Sequence, residues 1–425
     1  MRAVVHHLFY KPEPTGTAPY TAELCERLAG SGYDVRVICP PPYFPDWRVA
    51  APYRQYQYLR EKINGVRVTR CPVWLPSRPV GWRRMLYMLS FLISSLPVVA
   101  LRVLRPPDVV IAVEPTLLSA IPMLVLGKLT GALTWLHVQD FEIDIALETH
   151  QIQRPILRRL ARWVDRTIRA RFDVVSTISR RMCHRFGEKG IPASRVAYLP
   201  NWVHTETIFP KKTAENPIRE ELGISSDAIV ALFSGTINEK QGLDCLVDAA
   251  GILRNETGIV FVVAGAGVRL DHVRQMARHL NNIKFLPLQP VERLNDLMNA
   301  ADLHLLTQRA VFADLVMPSK LLAMLASGRP VVATAARGSE LYRFVSQCGA
   351  VAPPSQPQAF AEAILALAND PGRRQELGAR AREVAVRQFD SDRVLGAFEE
   401  ELGRRLNPAG AAVAVADYDS ADIND

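Results

Sequence analysis

Short apolar runs alternate with segments of helical period along nearly the whole chain. In the front half the runs are 3–8, 34–39, 66–70, 109–113, 133–137 and 174–178. In the back half they are 229–234, 259–264, 283–286, 303–306, 331–334 and 350–351. Strand-sized runs separated by helix-sized patterns predict α/β layers with parallel sheets. Two such sets predict two doubly wound, Rossmann-like domains facing across a cleft. The polar, proline-punctuated stretch from Pro200 to Pro217 breaks the alternation. The expected organisation is therefore a first domain over 1–203, a second over 204–385, and a helix over 386–407 packing back on the first. The Ala/Asp-rich segment 408–425 lacks the apolar content to fold and reads as a disordered acidic tail.

One segment departs from this rhythm. Met85–Leu101 carries no charge, with Arg83 and Arg84 before it and Arg102 and Arg105 after it. It is slightly short for a spanning helix and contains Pro97. A helix packed on the front sheet, an interfacial helix and a true span all stay open. Charge sharpens the picture. The chain of 425 residues carries +8 overall, but residues 1–203 hold about +13 and the remainder about −5. A basic front half fits an anionic surface. Arg154, Arg158, Arg162, Arg166 and Arg169 fall at four- and three-residue steps, so they are expected on one helix face. That stripe reads either as a solvated face or as a contact with an anionic membrane. No nucleic-acid-binding pattern accompanies it. Six cysteines without a Cys-x-x-Cys pair read as reduced thiols, and the N-terminus lacks a signal peptide's apolar core, so a cytoplasmic location is expected. No His/Asp/Glu spacing predicts a metal site.

The candidate chemistry clusters in loops after strands. Gly16 lies between the first strand and a helix and permits close approach of backbone to a ligand. Ser234–Leu243 follows a strand; Gly235 allows a sharp turn, and Lys240 is placed to reach a diphosphate as a point charge. Gly265-Ala-Gly267-Val-Arg-Leu270 lacks the third glycine of a dinucleotide fingerprint and reads as a tight turn lining a pocket. From Asp314 the chain reads Asp-Leu-Val-Met-Pro-Ser-Lys, then a short helix, Gly328, and an apolar strand. Ser319 and Lys320 fall where a helix N-terminus favours an anion. His137-Val-Gln-Asp140-Phe-Glu142-Ile-Asp144 closes a front-half strand, at the strand end where open parallel sheets bind ligands. Its carboxylates suit sugar hydroxyls or a general base. His137 suits either role, or that of a core histidine with one hydrogen bond.

Taken together, these segments resemble the GT-B glycosyltransferases of family four, which are retaining enzymes. The resemblance covers roughly 1–405. It is carried by the opening 12–38, by Ser176-Thr-Ile-Ser-Arg and Pro200-Asn-Trp, by Ser234–Leu243, and by Val316-Met-Pro-Ser-Lys-Leu. Pro40-Pro-Pro-Tyr-Phe-Pro, His137-Val-Gln-Asp and Phe285-Leu-Pro-Leu-Gln bring it nearest to the exopolysaccharide-building branch of colanic acid fucosyltransferase type. The resemblance implies transfer of a hexose from a nucleoside-diphosphate sugar, GDP-fucose being the first expectation. The acceptor it implies is a polyprenyl-diphosphate-linked glycan at the inner face of the cytoplasmic membrane. No metal or other cofactor is implied. Lys240 would sit on the diphosphate, and Ser319 and Lys320 at the phosphates or sugar. Asp314 would face the donor sugar, with Gly16 and the glycine turns Gly235 and Gly265 leaving room for it. Asp140, with His137 or Gln139 in place of the usual loop histidine, would lie near the reacting hydroxyl, with Asp144 behind it. Arg158, Arg162 and Arg166 would meet the membrane. Ala323 and Leu315 replace the family's glutamate pair, and Thr236 a frequent arginine. An inactive membrane-docked scaffold and a sugar-nucleotide epimerase are the competing readings.

Overall fold

The computed structural model describes residues 1–407 except 15, 45, 78–80, 115–116, 149–151, 214 and 313–316. The tail expected over 408–425 lies outside the described residues. The first sheet contains β1 (Arg2–His6), β2 (Asp34–Cys39), β3 (Leu59–Ile63), β4 (Val66–Arg70), β5 (Val109–Val113), β6 (Leu133–Val138), β7 (Val174–Thr177) and β8 (Val196–Tyr198). Their order is β3-β4-β2-β1-β5-β6-β7-β8, parallel throughout except at β3. The second contains β9 (Ile229–Ser234), β10 (Ile259–Ala264), β11 (Ile283–Leu286), β12 (Leu303–Leu306), β13 (Val331–Thr334) and β14 (Gly349–Ala352), ordered β11-β10-β9-β12-β13-β14.

Central strands such as β5 are buried at every position, which is why they read as unbroken Val/Ile/Ala runs. Two strands had no apolar signal. β3 is a charged edge strand, Leu-Arg-Glu-Lys-Ile, hairpinned to β4 through Asn64 (φ 46°) and Gly65 (φ 88°). β8 is only three residues long.

The front sheet is flanked by α1 (Ala18–Gly30), α2 (Trp82–Ala100), α3 (Ala120–Thr130), α4 (Glu142–Glu148), α5 (Pro155–Arg169) and α6 (Arg180–Glu188). The helix Pro371–Gln388 runs through the boundary expected at 385–386, so the chain leaves the second sheet's layer only at Phe389. There Val203 N–H donates to Phe389 O (2.8 Å), and Ser391 N–H donates to Val203 O (3.1 Å). The final helix Ser391–Leu406 lies on the front half. Phe398 meets Trp135 edge to face at 5.2 Å, and Arg27 pairs with Glu399 at 2.9 Å.

Strand order locates the crevices. β1 is flanked by β2 and β5, and β9 by β10 and β12, so chain direction across each sheet reverses at these strands. Loops leaving β1 and β9 therefore stand over open crevices at the strand C-termini. They are the loops that carry Gly16 and Gly235.

Candidate active site

The back wall of the cleft is built from backbone. A Cβ added at Gly265 would lie 2.0 Å from Gly235 O, and one at Gly267 would lie 2.2 Å from Ile237 O. Ile237 N–H donates to Ala266 O at 2.9 Å. The loops after β9 and β10 thus lie against one another with no room for side chains. Gly235 (φ 124°) also leaves space for Lys320, whose Cδ would be 3.3 Å from an added Cβ. The Lys320 ammonium sits 2.6 Å from Gln241 Oε1 and 3.8 Å from the Phe233 ring centroid. Burial pulls its pKa down to about 7, and an arriving anion would favour its charged form. Ser319 is exposed at the start of the helix Lys320–Ala326 and lies near the Tyr20 hydroxyl of α1, across the cleft. Asp314, expected at the donor sugar, and Leu315 lie outside the described residues.

The front wall carries the acid groups. Asp140 follows β6 and is half-buried. Burial raises its pKa to about 6, and the positive charge of Lys240 opposes that rise. Glu142, raised by burial, is held down first by Arg84, which it meets at 2.6 Å, and also by Lys240. Lys240, on the loop after β9, thus stands within electrostatic reach of Asp140 and Glu142 on the front wall. Gly16 (φ 68°) stands in a loop held by side chains. Glu13 accepts from the backbone N–H groups of Tyr43 and Phe44, each at 2.8 Å, and His7 Nε2 is 2.8 Å from Thr17 Oγ1.

Three expected residues, His137, Asp144 and Arg158, are taken up by partners within the protein. His137 is buried under the wall: Nδ1 is 2.9 Å from Ser176 Oγ and Nε2 is 2.9 Å from Gln139 Nε2, which also donates to Asn201 Oδ1. Burial lowers its pKa to about 3, so it is a neutral core histidine in a closed network. Asp144 is paired with Lys189 at 2.9 Å. Lys189 also holds Asp165 at 2.8 Å. The arginine stripe is split. Arg158 donates to Leu147 O (2.8 Å) and Ile152 O (3.2 Å), while Arg162 and Arg166 are exposed. Arg169 turns inward to Glu114 (2.9 Å) and Asp165 (2.8 Å) and stacks over Phe141, the neighbour of Asp140, at 4.9 Å. Four-residue steps drift around a helix, so the row leaves the inner side after Arg158, faces out at Arg162 and Arg166, and is returned inward at Arg169 by the three-residue step.

Glu13, Tyr20, Arg84, Glu114 and Gln241 were not singled out by sequence. Each acts through a partner at least 10 residues away, and no local pattern marks such a pairing. Among the described residues no group of three or more His, Cys, Asp or Glu side chains is arranged to hold a metal ion.

Comparison with known proteins agrees with this architecture. Residues 15–202 match a glycosyl transferase 4-like domain, and residues 228–370 match glycosyl transferases group 1. The chain is 37% identical over 415 residues to the putative colanic acid biosynthesis glycosyl transferase WcaI of Escherichia coli (strain K12), covering 95% of this chain and all of that one. It is 32% identical over 219 residues to the D-inositol 3-phosphate glycosyltransferase of Xylanimonas cellulosilytica, covering 49% and 51% of the two chains. Among solved structures, sucrose-phosphate synthase from Thermosynechococcus elongatus superposes with a TM-score of 0.75 at 16% identity, over 96% of this chain and 99% of that one. Anabaena HepE, in complex with UDP-glucose, superposes with a TM-score of 0.68 at 17% identity, over 95% and 99%.

Proposed function

The chain belongs to the GT-B glycosyltransferases that join a glycosyl transferase 4-like domain to a group 1 domain, and we propose that it transfers a hexose from a nucleoside-diphosphate sugar to a lipid-linked glycan during exopolysaccharide assembly. The observation that carries this reading is the facing of Asp140 by Lys240, with Lys320 and the glycine turns behind. A diphosphate seated on those turns would meet both ammonium groups. They would stabilise the charge that develops as the sugar–phosphate bond breaks. Gly16 would leave room for the diphosphate from the front wall. Asp140, with its pKa near working pH, would take the proton of the acceptor hydroxyl. Front-face attack with retention needs little beyond such positioning and phosphate stabilisation. With lysines serving the diphosphate, transfer would need no resident metal, and EDTA is expected to leave the rate unchanged.

The similarity to WcaI supports an exopolysaccharide product, with GDP-fucose as the first donor to try. A lipid-linked acceptor would place the enzyme peripherally on the inner face of the cytoplasmic membrane, and the basic front half supports that placement. A thermal-shift panel of GDP, UDP, ADP, CDP and dTDP with their sugar conjugates tests the donor site. A ligand at about 100 times its Kd adds about 2.7 kcal/mol. Lys240→Ala is expected to lower transfer by about 10²–10³-fold with the fold intact; a folded, fully active variant would remove the assignment. One observation favours a second reading, an inactive scaffold: Ala323 leaves the helix Lys320–Ala326 without any carboxylate. Nucleotide binding without transfer or hydrolysis of any donor would select it.

A further inference from the structure

The loop that carries Lys240 is a single turn, Glu239–Gln241, between β9 and the helix Leu243–Ile252. None of its three residues is buried, so core packing does not hold it in place. Its sequence adds a difficulty. Glu239 directly precedes the lysine, and Asp244 opens the helix that follows. A diphosphate brought to Lys240 would also meet these two carboxylates, and like charges repel.

Two arginines from the neighbouring loops take up both carboxylates. Arg309, in the loop after β12, lies 2.6 Å from Glu239 and 3.0 Å from Asp244. Arg269, in the loop after β10, lies 3.3 Å from Glu239 and 3.4 Å from Asp244. Each acid therefore meets both guanidinium groups. Each arginine also holds the loop through its backbone. Arg309 N–H donates to Lys240 O, and Arg269 N–H donates to Ile237 O, both at 3.2 Å. Gly242 (φ 58°) completes the fit, since a Cβ there would come 3.2 Å from Arg309 Cγ. The stem of Arg309 thus lies against the turn while its head spans the two acids.

We infer that Arg309 and Arg269 are positioning residues: they clamp the Lys240 turn and neutralise Glu239 and Asp244, so that the turn accepts a nucleoside diphosphate. The clamp deepens the donor site proposed above and rests on that reading. Arginine suits the task because its planar fork can bridge two carboxylates, where the point charge of lysine serves one. The four side chains are between 33% and 54% exposed, so their ion pairs add little to the stability of the fold. Their effect falls on the ligand. With both acids covered, an arriving diphosphate meets the lysine without a neighbouring negative charge to oppose it.

The test is calorimetric binding of GDP, UDP, ADP, CDP and dTDP to the full chain. For the diphosphate that the wild type binds most tightly, Arg309→Ala is expected to weaken binding about three- to tenfold, the scale of two partly exposed ion pairs. Its Tm is expected to change little. Adding Glu239→Gln, which removes a charge that the arginine covered, is expected to restore at least about half of the lost affinity. Salt screens the repulsion, so the gap between wild type and Arg309→Ala should narrow as ionic strength rises. Where Arg309→Ala lowers the folded fraction, Arg269→Ala reads the same quantity. Full affinity in both arginine variants would overturn the clamp. So would a loss that neither Glu239→Gln nor salt relieves, since a purely packing role predicts that result. A wild type that binds none of the five diphosphates would strike the donor site itself, and the clamp with it. Failure of sugar transfer with diphosphate binding intact would strike the reaction, not the clamp.

Discussion

The two walls of the cleft are made differently. The back wall is backbone against backbone: Gly265 on Gly235 and Gly267 on Ile237, with Lys320 threaded beneath. The front wall is held by side chains that reach far along the chain: Glu13 to Tyr43, Arg84 to Glu142, Arg169 to Glu114. The back wall gains precision from the absence of atoms, and its failure mode is a clash. The front wall gains precision from buried charge, and its failure mode is an unpaired ion.

The largest expected effect strikes the front wall. Arg169→Met leaves Glu114 and Asp165 buried without their guanidinium, which costs about 3–5 kcal/mol. Chemical denaturation measures this. Adding Glu114→Gln should restore part of the loss, and a double mutant no better than the single would refute the pairing. Next comes the back wall. Gly265→Ala places a Cβ in the Gly235 carbonyl at a φ of 147°, which costs about 2–4 kcal/mol. The nucleotide-induced thermal shift should vanish with it; retention of both stability and shift would show that the loops slide apart freely.

How far each wall could be read from sequence follows the same division. Gly235, Lys240 and Gly265 stand in short loops directly after strongly apolar strands, so local pattern led to them. Asp140 was found by its place at a strand end. His137 was left open between a site role and a core role because nothing local reports that Ser176, 39 residues on, closes on its ring. The arginines of α5 were assigned one outer face, solvated or membrane-facing, because spacing alone does not say which side of a helix faces in. The inner side is fixed by Glu114, 55 residues from Arg169. Strands β3 and β8 escaped because an edge strand and a three-residue strand need no apolar run.

A smaller effect separates the walls by pH. Asp140 has a folded-state pKa raised to about 6, so its protonated form favours the folded chain. That contribution is complete below the carboxyl's unfolded pKa of about 4 and is lost as pH rises through about 6. Asp140→Asn, which mimics the protonated form, should therefore match the wild-type Tm at low pH and exceed it above about pH 6. A constant Tm difference across that range would contradict the shift. The smallest effect is a control outside both walls. Gly396 lies within the helix Ser391–Leu406 with no atom within 4 Å of an added Cβ, so Gly396→Ala should stabilise by about 0.5–1 kcal/mol. Destabilisation there would mean that this helix is not set as described.

The return of the chain at Phe389–Ser391 has a mechanical meaning. Polypeptide passes between the halves twice, and the two passages are bonded side by side through Val203. A single linker would behave as a ball joint; two bonded linkers behave as a hinge with two pins, free to swing about one axis and stiff against twist. Opening and closing should then preserve the alignment of Asp140 with Lys240. Neither half is a separable part, since cutting after 203 strips Trp135 of the Phe398 ring that seals it.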